Sequence, residues 1–129
     1  MNCITAFKIN IAGINDTEMF EIIDTLGPEP GITENFLYYG LLKRDTEDPE
    51  YKLYVQLHDT LSIIYDKKEI LKKLLSMYNI SYIVDVKFSD IEEEIENNTS
   101  FTISEESKEF IEYVDAYYNL NNGYFEEHS

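Results

Sequence analysis

Two histidines and one cysteine are the residues of this chain that could supply an imidazole base or a thiolate nucleophile. His58 is expected at the end of a strand and His128 in the C-terminal tail, whereas a general base needs a second group that holds it in place. Cys3 has no histidine near it in sequence to activate its thiol, so we interpret it as an inert strand residue. The sequence therefore assigns no catalytic residue.

Metal and phosphate chemistry have no recognisable motif in this sequence. There is no H-x-x-x-H, C-x-x-C, calcium loop, G-x-G-x-x-G or Walker loop. The run formed by Glu92, Glu93, Glu94 and Glu96 cannot turn all its side chains toward one ion, because consecutive side chains diverge. A carboxylate pair for glycoside chemistry cannot be identified without geometry, since 26 acidic residues always offer some pair. No metal and no cofactor are predicted.

The net charge of −16 is concentrated in the last third of the chain. Residues 1–88 contribute −5, whereas residues 89–129 contribute −11 and hold a single basic residue, Lys108. Such a field repels nucleic-acid phosphates and speeds the encounter with a basic protein such as a toxin or an enzyme. The composition thus predicts a basic protein partner and no direct contact with nucleic acid. Solubility alone is the other interpretation.

Tyrosine is the second unusual feature, with eleven tyrosines and no tryptophan. Tyrosine is enriched where proteins bind one another, and three tyrosines follow the acids of the last predicted helix. Tyr117 and Tyr118 also continue the apolar stripe of that helix, so Glu112 and Tyr113 are the better candidates for an outward face. The predicted partner-binding residues are Glu92, Glu93, Glu94, Glu96, Glu105, Glu109, Glu112 and Tyr113.

The length of the chain is that of one domain, assigned to residues 1–129. A chain of this size buries roughly two-thirds of its unfolded surface, which is enough for a hydrophobic core. No apolar run approaches the roughly 18 residues of a membrane span, and no signal peptide is expected. A single cysteine excludes an internal disulfide and fits a cytoplasmic location.

The opening third of the chain predicts a strand followed by a capped helix. Alternation indicates a strand over residues 3–12, after which Gly13 permits a turn. Asn15 or Asp16 is a natural N-cap, and Leu26-Gly27-Pro28 ends the helix because proline cannot continue it. On the strand, Thr5, Phe7, Ile9 and Ile11 share one face, and Ala6, Lys8 and Asn10 share the other. On the helix, the apolar stripe is Met19, Ile22, Ile23 and Leu26.

The next stretch predicts a hairpin. Residues 32–42 are rich in aromatic side chains, residues 43–50 form a charged loop, and residues 51–58 alternate between apolar and polar side chains. Asp59 is expected to cap a short apolar turn after the second strand. The residues of this strand expected to point inward are Leu53, Val55 and Leu57.

A lysine-rich helix and a well-marked strand are predicted after the hairpin. The spacing indicates a helix over residues 67–78, which Asp66 and Glu69 would open as a capping box. Residues 80–88 alternate clearly and indicate a strand. The lysines on the outer side of this helix are interpreted as a solvated face, and they are Lys67, Lys68, Lys72 and Lys73.

The acidic end of the chain predicts short elements around one helix. Residues 90–98 are too charged for the core, and residues 99–103 are expected as a short strand. Ser104 would cap a helix over residues 105–118, and Tyr124-Phe125 would add a last strand. The predicted fold is α+β: an antiparallel-dominated sheet of five to six strands with two to three amphipathic helices packed mainly on one face.

Two motifs of the opening third carry a family resemblance. They are Phe7-Lys8-Ile9-Asn10-Ile11-Ala12-Gly13 and Ile23-x-x-Leu26-Gly27-x-x-Pro30. Together they resemble the start of the bacterial domain of unknown function 4279 family, which opens with an F-x-I-x-G strand and a helix ending in L-G-x-x-P. Members often carry a Lys-Gly pair and a tryptophan after the first helix, and this chain has no tryptophan, so a site marked by those residues would be altered here. The resemblance implies no catalytic residue.

Three classes of function fit these observations. The first is a non-enzymatic, immunity-type protein that neutralises a co-encoded bacterial toxin through an acidic surface, by analogy with other small acidic bacterial domains. The second is a small-ligand-binding or enzymatic domain, which would need a concave cavity with convergent polar groups. The third is an acidic mimic of nucleic acid, whose charges would be spaced like phosphates.

Overall fold

The computed structural model describes residues 2–89 and 103–121 of the chain. Within these ranges four α-helices accompany a five-stranded sheet that is mostly antiparallel, which confirms the predicted α+β class. None of the helices in these ranges is long and apolar enough to cross a membrane. The elements are β1 (Asn2–Asn10), α1 (Asp16–Leu26), β2 (Gly31–Ile32), β3 (Phe36–Asp45), α2 (Leu53–Ser62), a 3₁₀ turn (Tyr65–Lys67), α3 (Lys68–Met77), β4 (Ser81–Ser89), α4 (Glu105–Tyr113) and β5 (Tyr117–Asn121).

The sheet is built around its first strand, in the order β2-β3-β1-β4-β5. β1 pairs antiparallel with both β3 and β4, whereas β5 lies parallel to β4 at the edge. A parallel pair needs a crossover connection, and α4 lies in the connection between β4 and β5. The central position of β1 explains why its side chains are largely buried on both faces of the sheet.

Helices α2, α3 and α4 contact the same face of the sheet. From α2, Thr60 Oγ1 lies 2.6 Å from Thr5 Oγ1, and from α4 the Phe110 ring lies 6.1 Å from the Phe7 ring. From α3, the Leu71 carbonyl accepts a hydrogen bond from the Tyr82 hydroxyl. Thr5 and Phe7 stand on the same side of β1 because side chains two residues apart share a face. The core therefore forms between this face and the helices, as predicted.

The first helix follows its local signals. The Asn15 side chain accepts a hydrogen bond from the backbone N–H of Glu18 at 2.8 Å, and the backbone N–H of Asn15 donates to the Glu18 carboxylate at 3.2 Å. This capping box satisfies two amide groups that the helix itself leaves unpaired. Gly27 ends the helix with a φ of 97°, a value that favours glycine. The predicted bounds and caps of α1 are confirmed.

The predicted hairpin is wrong, because residues 51–58 do not form its second strand. They enter α2, which continues through Asp59, so this residue caps no turn. Leu53 and Leu57 are buried in either arrangement, but Val55 stays 42% exposed and Gln56 is fully buried. The buried side chains of α2 recur at helical spacing, at positions 53, 56, 57, 60 and 61. Three of these positions, 53, 57 and 61, also fit the alternation of buried and exposed side chains that indicates a strand. β3 instead pairs with β1.

The last predicted helix, 105–118, is too long. α4 ends at Tyr113, and Asp115 then takes a left-handed φ of 57° that a helix cannot continue. The chain returns as the edge strand β5. Tyr117 is 71% exposed and Tyr118 is 36% exposed, so these two tyrosines belong to a sheet edge and not to a buried helical stripe.

The remaining predictions have mixed outcomes. The strand predicted over 80–88 is confirmed as β4, and the one predicted over 32–42 is displaced to β3 and the short β2. Asp66 and Glu69 form no capping box, because a 3₁₀ turn leads into α3 and no side chain caps the helix. Predictions for residues 90–102 and for Tyr124-Phe125 lie outside the described residues.

Candidate functional site

α4 presents the described part of the predicted partner-binding surface. Glu105, Glu109 and Glu112 are all exposed, and their spacing of four and three residues places them along one side of the helix. We call these three residues the α4 acidic face. Ser104 caps the helix by accepting a hydrogen bond from the backbone N–H of Ser107 at 3.1 Å. The predicted helix start and the grouping of its acids thus follow from the sequence, whereas Glu92, Glu93, Glu94 and Glu96 lie outside the described residues.

Tyr113 is partly exposed, and its side chain contacts α3. Its hydroxyl donates a hydrogen bond to Glu69 Oε1 at 2.7 Å, which raises the pKa of the phenol. The Lys72 ammonium lies 4.4 Å from the ring centre and the Lys68 ammonium 5.2 Å from it. Contacts of this kind between an ammonium group and an aromatic face are attractive. Tyr113 therefore joins α4 to α3, and Glu112 is the more exposed residue of the pair.

A groove of about 510 Å³ runs between the start of α3 and α4. Three carboxylates and one ammonium group belong to its lining, so its local charge is negative. Three aromatic rings complete the walls. We call it the α3–α4 groove, and its lining residues are Tyr65, Asp66, Lys68, Glu106, Glu109, Phe110 and Tyr113.

One wall of the groove is fixed by aromatic contacts. The Tyr65 ring meets the Phe110 ring edge to face at 5.0 Å and lies 5.6 Å from the imidazole of His58. The Tyr65 hydroxyl is buried near Ser107 without a hydrogen bond of normal geometry, and burial raises its pKa. Such a packed ring holds its position at low entropic cost, which suits it to line a binding site.

His58 is part of α2 and not of a strand end, and it offers little for catalysis. Its Nδ1 lies 4.0 Å from Glu106 Oε2, beyond hydrogen-bond distance, and both side chains are substantially exposed. A general base needs a fixed orienting partner, and this pair lacks one. In the part of the chain that the structure describes, no group of three histidine, cysteine or acidic side chains is placed to hold a metal ion. His128 lies outside that part.

Cys3 is buried in β1 under the start of α2. Burial raises the pKa of its thiol from 9.0 to about 11, and a contact with the Tyr51 side chain opposes this rise. Gln56 lies beside it, with Nε2 donating to the Cys3 carbonyl at 2.8 Å. A thiol with a raised pKa is a poor nucleophile, which agrees with the interpretation of Cys3 as an inert strand residue.

A second, smaller groove of about 330 Å³ lies at the start of α2. Arg44 and Tyr51 line it, but the Arg44 guanidinium already donates to the Asp59 carboxylate at 2.7 Å. The Arg44 guanidinium is therefore already paired with a residue outside the cavity lining, whereas a small-ligand site requires polar groups that converge on the cavity.

Sequence reasoning missed the α3–α4 groove because its two walls are distant in the chain. Tyr113 and Glu69 are separated by 44 residues, and neither local spacing nor composition predicts their contact. The lysines of α3 were expected as a solvated face only. One signal was present: Lys68 and Lys72 stand four residues apart, so both can reach the same neighbour.

Comparison of the chain with protein-family models, with curated proteins and with solved structures finds no match. The resemblance to the domain of unknown function 4279 family stays a prediction.

Proposed function

We propose that this protein is a non-enzymatic binding domain of immunity type, which neutralises a basic, co-encoded bacterial toxin through the α4 acidic face. One observation carries the proposal. Glu105, Glu109 and Glu112 stand exposed along one side of a helix, in a chain whose charge is −16. A negatively charged surface on a protein with a negative net charge attracts a positively charged partner.

The physical effect of this surface is expected chiefly in the rate of association. An exposed ion pair contributes about 0 to 1 kcal/mol, so three such pairs give modest affinity. The long-range field raises the rate of encounter instead, and salt screens it over about 10 Å at 0.1 M. The proposal therefore predicts fast association that slows steeply as ionic strength rises.

Charge reversal tests the assignment of the surface. The partner is captured by pull-down from the native host, with the product of the neighbouring gene as the first candidate. The triple variant Glu105→Lys, Glu109→Lys, Glu112→Lys is then compared with the parent protein by surface plasmon resonance at several salt concentrations. We expect association to slow by about tenfold or more at low salt, with a shallower salt dependence.

A matched control separates the surface from the net charge. Asp24, Glu29 and Glu34 are exposed acids outside α4, and their reversal to lysine changes the net charge by the same amount. If this control slows association as much as the α4 variant does, net charge alone acts and the site assignment is wrong. Unchanged binding in the α4 variant would reject the surface outright.

A further inference from the structure

The α3–α4 groove holds more negative charge than its own residues balance. Asp66, Glu106 and Glu109 face a lining that contains one cation, Lys68. Among the described residues, no lysine or arginine forms a salt bridge with any of these three carboxylates, and Glu106 approaches only His58, at 4.0 Å. Carboxylates that share a cavity repel one another, and a cation placed between them relieves this repulsion.

Tyr113, at the rim of this groove, contacts cations of the chain itself. The ammonium groups of Lys72 and Lys68 lie over its ring, at 4.4 Å and 5.2 Å. Such contacts between an ammonium group and an aromatic face are attractive. Phe110 and Tyr65 extend the aromatic wall into the groove. Aromatic faces and carboxylates together are the surroundings in which proteins hold basic side chains.

We propose that the α3–α4 groove receives an arginine side chain of the basic partner, with its guanidinium group held between Glu106 and Glu109. The proposal rests on the proposed function, because it names the side chain by which that partner is recognised. Glu106 and Glu109 are three residues apart on α4, so they are neighbours on its surface, and both line the groove.

Arginine fits this geometry better than lysine. The guanidinium group is planar and presents five N–H donors in a fixed fork, so it bridges two neighbouring carboxylates and stacks on an aromatic ring at the same time. An ammonium group is a compact, strongly hydrated point charge that satisfies one carboxylate well. Selectivity for arginine over lysine is thus the property that distinguishes a groove from a diffuse acidic surface.

The test uses a short peptide, acetyl-Gly-Arg-Gly-amide, titrated into the ¹⁵N-labelled full chain and followed by NMR. Two analogues carry lysine or the uncharged citrulline in place of arginine. We expect saturable shifts at the amides of Phe110 and Tyr113 with the arginine peptide, weaker ones with lysine, and none with citrulline. Glu106→Gln is expected to weaken arginine binding roughly twofold to fivefold.

Glu29→Gln is the matched control, because it removes the same charge from an exposed acid that lies outside both the α3–α4 groove and the α4 acidic face. Equal weakening by both variants, or equal binding of the arginine and lysine peptides, would overturn the groove and leave only general attraction. Absence of saturable binding would also overturn it, while partner binding that depends on the α4 acidic face would keep the proposed function. Arginine-selective binding with no protein partner would support the groove and reject the proposed function.

Discussion

Asp85 organises a cluster of polar side chains on the face of the sheet that lies away from the helices. It is 4% exposed, its Oδ2 lies 3.3 Å from the ammonium groups of both Lys8 and Lys87, and its Oδ1 accepts a hydrogen bond from the Asn119 amide at 3.0 Å. Lys8 also lies 4.3 Å from the centre of the Phe36 ring. Alternation along β1 predicted the face on which Lys8 stands. It could not predict the pairing of Lys8 with Asp85, because the two residues are 77 positions apart.

Asp85→Asn is expected to lower the free energy of unfolding by about 3 kcal/mol, because it leaves the buried Lys8 ammonium without its counter-charge. Urea unfolding followed by circular dichroism measures the change. Asp59→Asn is the matched control: the same substitution breaks a salt bridge with Arg44 in which both side chains are about 40% exposed, and it costs about 1 kcal/mol or less. Equal losses in the two variants would contradict a special role for burial.

At the scale of elements, local signals predicted some segments and tertiary contacts decided others. α1 was predictable because its cap, apolar stripe and glycine stop all lie within a few residues of one another. α2 was not, because its buried positions satisfy a helical period and part of an alternating one. In the folded chain α2 docks on the sheet through Thr60, which lies against Thr5 and Gly40.

Gly40→Ala tests how closely α2 approaches β3. Gly40 has a φ of 65°, and a Cβ there would lie 2.1 Å from the Thr60 carbonyl oxygen, so the substitution adds backbone strain and forces α2 away from the sheet. We expect a loss of about 3 kcal/mol or more in thermal or urea unfolding. Gly31→Ala is the control, since its Cβ would meet only Tyr38 at an ordinary 3.6 Å. A mild effect at Gly40 would mean that α2 docks less tightly than described.

At the scale of the whole molecule, charge was the property of the candidate site that the sequence predicted best. The excess of acids in the last third and their grouping on one side of α4 follow from residue order alone. The α3–α4 groove could not be predicted from the sequence, because it forms only where α3, the 3₁₀ turn and α4 meet in the folded chain. The basic side of α3 therefore borders the acidic side of α4, and the proposed binding surface is more localised than the net charge suggests.

Alkaline pH is expected to destabilise the whole fold through its buried acids. Burial raises the pKa of the Cys3 thiol from 9.0 to about 11 and that of the Tyr39 hydroxyl from 10.0 to about 12. Because each pKa is higher in the folded state, the unfolded chain loses its proton first. The contribution to stability is thus complete below about pH 9 and falls as pH rises through the folded pKa values.

Between its unfolded and its folded pKa, each such group is expected to lower the free energy of unfolding by up to about 1.4 kcal/mol per pH unit. Urea unfolding between about pH 8 and about pH 11 measures the slope. Repulsion within a chain of charge −16 also grows as lysines lose their protons, so the test compares the slopes of variants with that of the parent protein.

Tyr39→Phe removes a hydroxyl that is buried without a hydrogen-bond partner among the described residues, and it is expected to flatten the slope above about pH 10. Tyr54→Phe is the control, because it removes the hydroxyl of a tyrosine that is 44% exposed. Identical slopes in the parent protein and in Tyr39→Phe would show that burial of this phenol does not set the alkaline limit of the fold.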